Sequence, residues 1–191
     1  MFICKKKYFL IIENIKDIDL KSIKIFEKFI IIYRNQSKLI NIEKLSIFRN
    51  QCKAKRIDFY VANDFKLMSI LKADGLYISA YNTDLRMCRY KYSKYKIIGS
   101  AHNYKELKIK DIQGCSSIIY SRLFETKYKN KPGFLGLIRF NLLSRLRKEI
   151  LTPLGGININ NLNKMNIVNS TSLALMSEVK KKPAKIFSRL F

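Results

Sequence analysis

The stretch Leu154-Gly155-Gly156-Ile157-Asn158 follows the apolar run Ile150-Leu151 and presents backbone N–H groups with no Cβ in the way. Where a strand ends in such a Gly pair and feeds a helix, a phosphate can rest on the backbone and at the helix N-terminus. The plainer use of a Gly-Gly turn is to join two elements. His102, the single histidine, stands just past another apolar run, at the start of a helical stretch. It is placed either to move a proton near neutral pH or to tie the loop at the helix start. Asp64 follows Asn63 directly after the run ending at Val61. A carboxylate there can hold Mg²⁺ against a diphosphate, and it can equally cap the helix near Leu67. Arg34, Ser79, Asn82, Asp84, Ser100, Arg122, Thr126 and Ser177 are further polar groups after apolar runs. Lys127 and Lys129 belong to a loop that either closes over an anion as a lid or stays in solvent.

Positioning these groups requires strands that end beside one another. Short, mostly unbroken apolar runs recur at Tyr8–Ile12, Phe29–Tyr33, Asp58–Val61, Gly75–Ser79, Lys96–Ser100, Ser117–Tyr120, Ile150–Leu154 and Ser172–Met176. Runs of this kind are what strands buried on both faces look like. Stretches of helical character alternate with them: Asp17–Glu27, Leu39–Ala54, Leu67–Leu71, Tyr104–Ile112, Leu137–Lys148, Ile159–Met165 and Val179–Leu190. Between Ser79 and Lys96 the helix is expected to be short or irregular. Alternation predicts βαβ units and a parallel sheet, and a count of eight favours a closed (β/α)₈ TIM barrel over an open sheet. The chain, 191 residues, is read as a single domain. It is short for a barrel of roughly 200–250 residues, so helices and loops are expected to be trimmed. In such a barrel the chemistry sits at the C-terminal ends of the strands.

Lys and Arg number 38 against 14 Asp and Glu, a formal charge of +24. Such an excess raises nucleic acid as a partner. The basic residues are spread along the chain, with short blocks only at Lys5–Lys7 and Lys180–Lys182. The pattern reads as a solvated basic surface that favours anionic small molecules, with no specific nucleic-acid partner. Compositional drift toward Lys, Ile, Asn, Tyr and Phe, which share A/T-rich codons, is a competing explanation. Cys4, Cys52, Cys88 and Cys115 lack metal-site spacing, and reduced thiols in a cytoplasm are expected. Glu13 breaks the first apolar run far below the length of a membrane span, so no membrane partner is expected.

Four blocks in order resemble the thiamine-phosphate synthase/TenI family of (β/α)₈ barrels: Val61-Ala62-Asn63-Asp64, Ala73–Ile78, Ile97–Asn103 with Glu106, and Leu154–Asn158 with Asn161. Phe124-Glu125-Thr126, then Gly136-Leu137, lies where the family carries its Phe-Pro-Thr loop and Gly-Leu pair, and Leu173–Ser177 is similar to its last strand. The resemblance implies an enzyme of thiamine biosynthesis that joins a hydroxymethylpyrimidine diphosphate to a thiazole phosphate and releases diphosphate with Mg²⁺. It implies that Arg34 binds diphosphate, assisted by Asn63, and that Asp64 ligates the metal. Ser100 and Thr126 would line the pyrimidine pocket, and Gly155, Gly156 and Ser177 would cradle the thiazole phosphate. The family's Gln-x-Arg-x-Lys reads Ile32-Tyr33-Arg34-Asn35-Gln36 here. A second metal carboxylate is replaced by Asn82, unless Asp84 substitutes, and a family histidine by Tyr77. The TenI branch implies a different activity, thiazole tautomerisation with His102 as proton shuttle. A barrel that binds phosphate without catalysis is the remaining expectation.

Overall fold

A computed structural model describes residues 5–23, 26–35, 40–90, 95–126 and 133–181. Its parallel strands are β1 (Lys7–Ile12), β2 (Phe29–Tyr33), β3 (Asp58–Ala62), β4 (Gly75–Ile78), β5 (Lys96–Ala101), β6 (Ser117–Ser121), β7 (Ile150–Leu154) and β8 (Ser172–Leu175). Their order around the wall is β7-β6-β5-β4-β3-β2-β1-β8, so β1 pairs with both β2 and the last strand. The expected TIM barrel is present, and each expected run is a strand to within one residue at either end.

Alternation along the strands sorts side chains into two cores. Phe9, Ile11, Ile30, Ile32, Tyr60, Tyr77, Ile98, Ile119 and Ala174 fill the interior of the barrel. Their neighbours in sequence, among them Tyr8, Leu10, Phe29, Ile31, Phe59 and Leu173, pack outward against the helices. Gly75 makes room for one interior ring: a Cβ there would lie 2.8 Å from the Tyr60 ring and 2.5 Å from the Lys96 carbonyl oxygen.

The last gap in the wall, between β7 and β8, is closed without a backbone ladder. Pro153, in β7, has no N–H to offer. Hydroxyls bridge the seam instead. Thr152 Oγ1 and Ser172 Oγ share a hydrogen bond of 2.6 Å, and Ser170 Oγ donates to the Leu151 carbonyl at 2.6 Å.

The helices are α1 (Ile42–Ala54), α2 (Phe65–Ile70), α3 (Tyr104–Ile112), α4 (Gly136–Arg145) and α5 (Ser177–Lys181). The helix expected over Asp17–Glu27 is instead a series of 3₁₀ turns, Ile15–Asp17, Leu20–Ser22 and Phe26–Lys28. Asn14 and Asp19 each accept a backbone N–H two residues on, so the first two turns each start from their own cap. The stretch near Ile159–Met165 is likewise a 3₁₀ turn, Leu162–Ile167, and Leu85–Tyr90 is the irregular element after β4. The last expected helix is helical at Ser177–Lys181, and its continuation to Leu190 lies outside the described residues, as do Lys127, Lys129, Gln36 and Cys4. Lys5 of the first basic block is a latch, with Nζ donating to the carbonyls of Val168 at 3.1 Å and Ser170 at 2.8 Å. Cys52 and Cys115 are buried free thiols whose pKa burial pushes up to about 12, which keeps them protonated and unreactive. Among the described residues no helix is long and apolar enough to cross a membrane.

Candidate active site at the barrel mouth

The alternation that fills the barrel carries on to the strand ends and, on β1, β2 and β5, changes there from apolar to polar. Two residues beyond Ile11 is Glu13, beyond Ile32 is Arg34, beyond Ile98 is Ser100, and beyond Ala174 is Met176. Arg34 is fixed by its N–H, which donates to the Ile12 carbonyl at 2.8 Å. Its Nη2 lies 3.5 Å from Glu13 Oε1 and 3.5 Å from Met176 Sδ, while its buried Nε has no hydrogen-bond partner among the described residues. Below it the buried Tyr77 hydroxyl donates to Ser100 Oγ at 2.8 Å. Burial pushes the Tyr77 phenol up, against the Ser100 hydrogen bond and the Arg34 charge, so it stays a donor.

Asn63 is a strut between loops. It adopts a left-handed φ of 57°. Its Nδ2 donates to Ser79 Oγ at 2.6 Å and to the Tyr81 hydroxyl at 3.0 Å, and its Oδ1 accepts from Ser79 N at 2.9 Å and Asn82 Nδ2 at 3.2 Å. Asp64 caps α2 through Oδ1, which accepts the Leu67 N–H at 2.8 Å, and its Oδ2 makes no hydrogen bond among the described residues. Asp84 cannot readily replace the missing carboxylate. Arg86 binds both of its oxygens at 2.9 and 3.1 Å through Nε, and that hydrogen bond holds the carboxyl below its ordinary pKa. The Asn82 Oδ1 accepts the Asp84 N–H at 3.0 Å. No cluster of three or more His, Cys, Asp or Glu that could hold a metal occurs among the described residues. Asp64, with Oδ2 open, offers a divalent cation a single carboxylate, and the described residues supply no cage of protein ligands.

His102 is exposed at the end of β5 and is gripped by Glu106. Glu106 Oε2 accepts the His102 backbone N–H at 2.7 Å and lies 3.0 Å from its Nδ1. Asn103, the N-cap of α3, accepts the Glu106 N–H at 2.9 Å and returns a hydrogen bond from Nδ2 to Oε1 at 2.8 Å. A carboxylate on Nδ1 orients the ring and leaves Nε2 for exchange. The pair opens on a cleft of about 480 Å³ shared with Tyr120, Arg122 and Phe134.

The glycine turn meets the loop after β6. Gly155 and Gly156 have φ of 95° and 71°, a region that favours glycine. A Cβ on Gly156 would lie 2.5 Å from the Glu125 carbonyl oxygen, and one on Gly155 would lie 3.1 Å from Arg122. Asn161 Nδ2 and Asn158 Nδ2 donate to the Gly156 carbonyl at 2.7 and 3.1 Å. The Gly156 and Ile157 N–H groups donate to no described residue. Gly156 lines a second cleft, of about 660 Å³, with Phe124, Leu137 and Lys164. Thr126 Oγ1 accepts from Arg122 Nη1 at 2.6 Å, and Ser177 opens α5 beside Met176. The expected site residues therefore fall into three groups. Arg34 and Ser100 share the mouth, Asn63 and Asp64 lie on its β3–β4 rim, and His102 and Gly156 line separate clefts on the β5–β7 side.

Parallel strands with polar groups gathered at their C-terminal ends define a (β/α)₈ barrel of the kind that works at its top face. The chain belongs to the thiamine monophosphate synthase family, whose model matches residues 7–179. It is 26% identical over 170 residues to the thiamine-phosphate synthase of Prochlorococcus marinus strain AS9601, covering 88% of this chain and 48% of that protein. The thiamine-phosphate synthase of Persephonella marina is 24% identical over 151 residues, covering 76% of this chain and 70% of the relative. The chain spans less than half the length of the first curated relatives it matches. Thiamine phosphate pyrophosphorylase from Pyrococcus furiosus superposes with a TM-score of 0.75 at 15% identity, over 97% of this chain and 93% of that one. KGPDC from Streptococcus mutans superposes with a TM-score of 0.69 at 14% identity, over 97% and 95%. At these identities the likeness to the solved structures is one of fold.

Proposed function

We propose that this barrel is a thiamine-phosphate synthase-like transferase that joins a hydroxymethylpyrimidine diphosphate to a thiazole phosphate and releases diphosphate. Family membership supports the reaction class. The observation that carries it here is the mouth arginine: Arg34 stands one step past β2 at the C-terminal end of the barrel, its side chain 24% exposed and its Nη2 3.5 Å from both Glu13 and Met176, where positive charge would suit a departing diphosphate. Asp64 would hold Mg²⁺, which when bound neutralises charge developing on the leaving group. Ser100, with its Oγ already fixed by Tyr77, would position the pyrimidine together with Thr126. The Gly156 and Ile157 N–H groups would take the thiazole phosphate, with Gly155 shaping the turn and Ser177 completing it across the β7–β8 gap. Asn63 would hold the β3–β4 rim in place beneath the diphosphate.

The test is product formation. The purified chain, mixed with both substrates and Mg²⁺, is expected to yield thiamine phosphate by mass, and Arg34→Ala to lower the rate by about a hundredfold or more. No product in the presence of Mg²⁺ would overturn the transferase reading. One observation favours a second reading, a thiazole tautomerase: the Glu106-oriented His102 at the edge of its own cleft. His102→Asn separates the two, because it would abolish tautomerisation and only dent transfer.

A further inference from the structure

We propose that Glu13 is an internal counter-anion for Arg34 and sets how strongly the barrel mouth takes a polyanionic phosphate. The inference deepens the functional reading above, because it rests on Arg34 being the ligand for the diphosphate. The pairing follows from register. Ile11 lies opposite Ile32 and Ile12 opposite Tyr33 in the β1–β2 ladder, so Glu13 and Arg34 come level one step past the strands. Both continue the inward-facing series of their strands. Glu13 Oε1 stands 3.5 Å from Arg34 Nη2, with the two side chains 34% and 24% exposed. In that half-buried setting the pair is screened less than a surface pair.

The rest of the Arg34 environment is poorly matched to a guanidinium. A guanidinium carries five N–H donors. Among the described residues Nη2 has a thioether sulfur as its hydrogen-bond acceptor, and Nε has none. The guanidinium, 24% exposed, therefore keeps donor capacity for an oxyanion, while its charge is partly neutralised by a carboxylate that a phosphate would face as a like charge. A diphosphate must displace Glu13 or tolerate it, and the cost grows with the charge of the ligand. Glu13 thus biases the mouth against the most highly charged ligands, and its removal favours them.

Isothermal titration of the full chain with inorganic pyrophosphate and with inorganic phosphate, at fixed ionic strength, tests this. Four proteins are compared: wild type, Glu13→Gln, Arg34→Gln and the double variant, each checked for an unchanged thermal transition. Glu13→Gln is expected to bind pyrophosphate about tenfold tighter, equivalent to about 1.4 kcal/mol, with a smaller gain for phosphate. The gain is expected to vanish in the double variant. Unchanged or weaker binding by Glu13→Gln overturns the proposal. So does a gain that persists without Arg34, which would belong to the net charge of a basic surface. If Glu13→Gln shows the gain while no thiamine phosphate forms, the transferase reading fails and the counter-anion stands. If product forms without the gain, the transferase stands and the counter-anion fails.

Discussion

Asn63 shows how a residue expected to touch substrate can be committed to architecture. Its backbone sits at a φ of 57°, and its amide makes four hydrogen bonds to Ser79, Tyr81 and Asn82. Asparagine tolerates this conformation better than most residues, and glycine tolerates it best. The two contributions can be separated. Asn63→Gly removes the hydrogen bonds alone and is expected to cost about 2 kcal/mol in urea denaturation. Asn63→Ala adds the left-handed strain and is expected to cost about 1 kcal/mol more. Equal stability of the two variants would show that the backbone conformation relaxes. Glu106 is committed in a comparable way, since one carboxylate satisfies the His102 N–H, the His102 ring and the Asn103 amide. Asp84 is occupied too, by Arg86. Polar side chains at this rim are mostly bound to each other, which leaves Asp64 Oδ2, His102 Nε2 and the turn N–H groups without a partner among the described residues.

Helix α3 anchors that rim from outside the barrel. Lys110 is fully buried, and its Nζ donates to the Asn82 carbonyl at 2.7 Å and to Gln113 Oε1 at 2.8 Å. Gln113 in turn donates to the carbonyls of Asn82 and Asp84, each at 3.0 Å. Gly99 of β5 allows this, because a Cβ there would lie 2.8 Å from Lys110 Cδ. Lys110→Met leaves the Gln113 oxygen buried without its donor and is expected to destabilise the fold by about 1–3 kcal/mol, read as a lowered urea midpoint. The extent of α3 is legible in the sequence because Asn103 and Glu106 spell a cap and Leu107 fits a helical face. The strands are legible as short apolar runs that polar residues seldom interrupt. The stretch after β1 is not, because apolar Ile15, Ile18 and Ile23 mimic a helical pattern while Asn14 and Asp19 keep resetting the turn. In the sequence Glu13 marks only the end of an apolar run. Counting by two from Ile11 places it at the mouth, but a charge at a strand end gives no sign of its partner before the register is known. Lys110 is equally hidden, since a lysine on an amphipathic helix ordinarily faces water.

Across the molecule, buried titratable groups set how stability responds to alkali. Burial raises the thiols of Cys52 and Cys115 from 9.0 to about 12, and raises the Tyr60 phenol as well. Above pH 9 the unfolded chain releases thiol protons that the folded chain retains, so their contribution is full below pH 9 and is lost as pH climbs toward 12. Lys110 has the opposite sign. Burial lowers it from 10.5 to about 8, so the unfolded chain binds the extra proton between those values and stability rises with pH there. The two thiols outweigh the lysine above pH 9. Denaturation midpoints are expected to climb from about pH 8 to about pH 9 and then fall. Cys115→Ala is expected to flatten the fall, and a variant that keeps the full decline would remove the thiol from the account. The hydroxyl-bridged gap between Thr152 and Ser172 has a different bearing on the whole molecule. A wall zipped by backbone everywhere else has one line along which it can part sideways without unpairing β1 from β8. Amide protons of β7 on that side are expected to exchange with deuterium sooner than those of β1, and Ser172→Ala to hasten them further. That line runs up to the mouth between Leu154 and Met176, so the glycine turn and α5 stand on either side of a seam held shut by hydroxyls and side-chain packing.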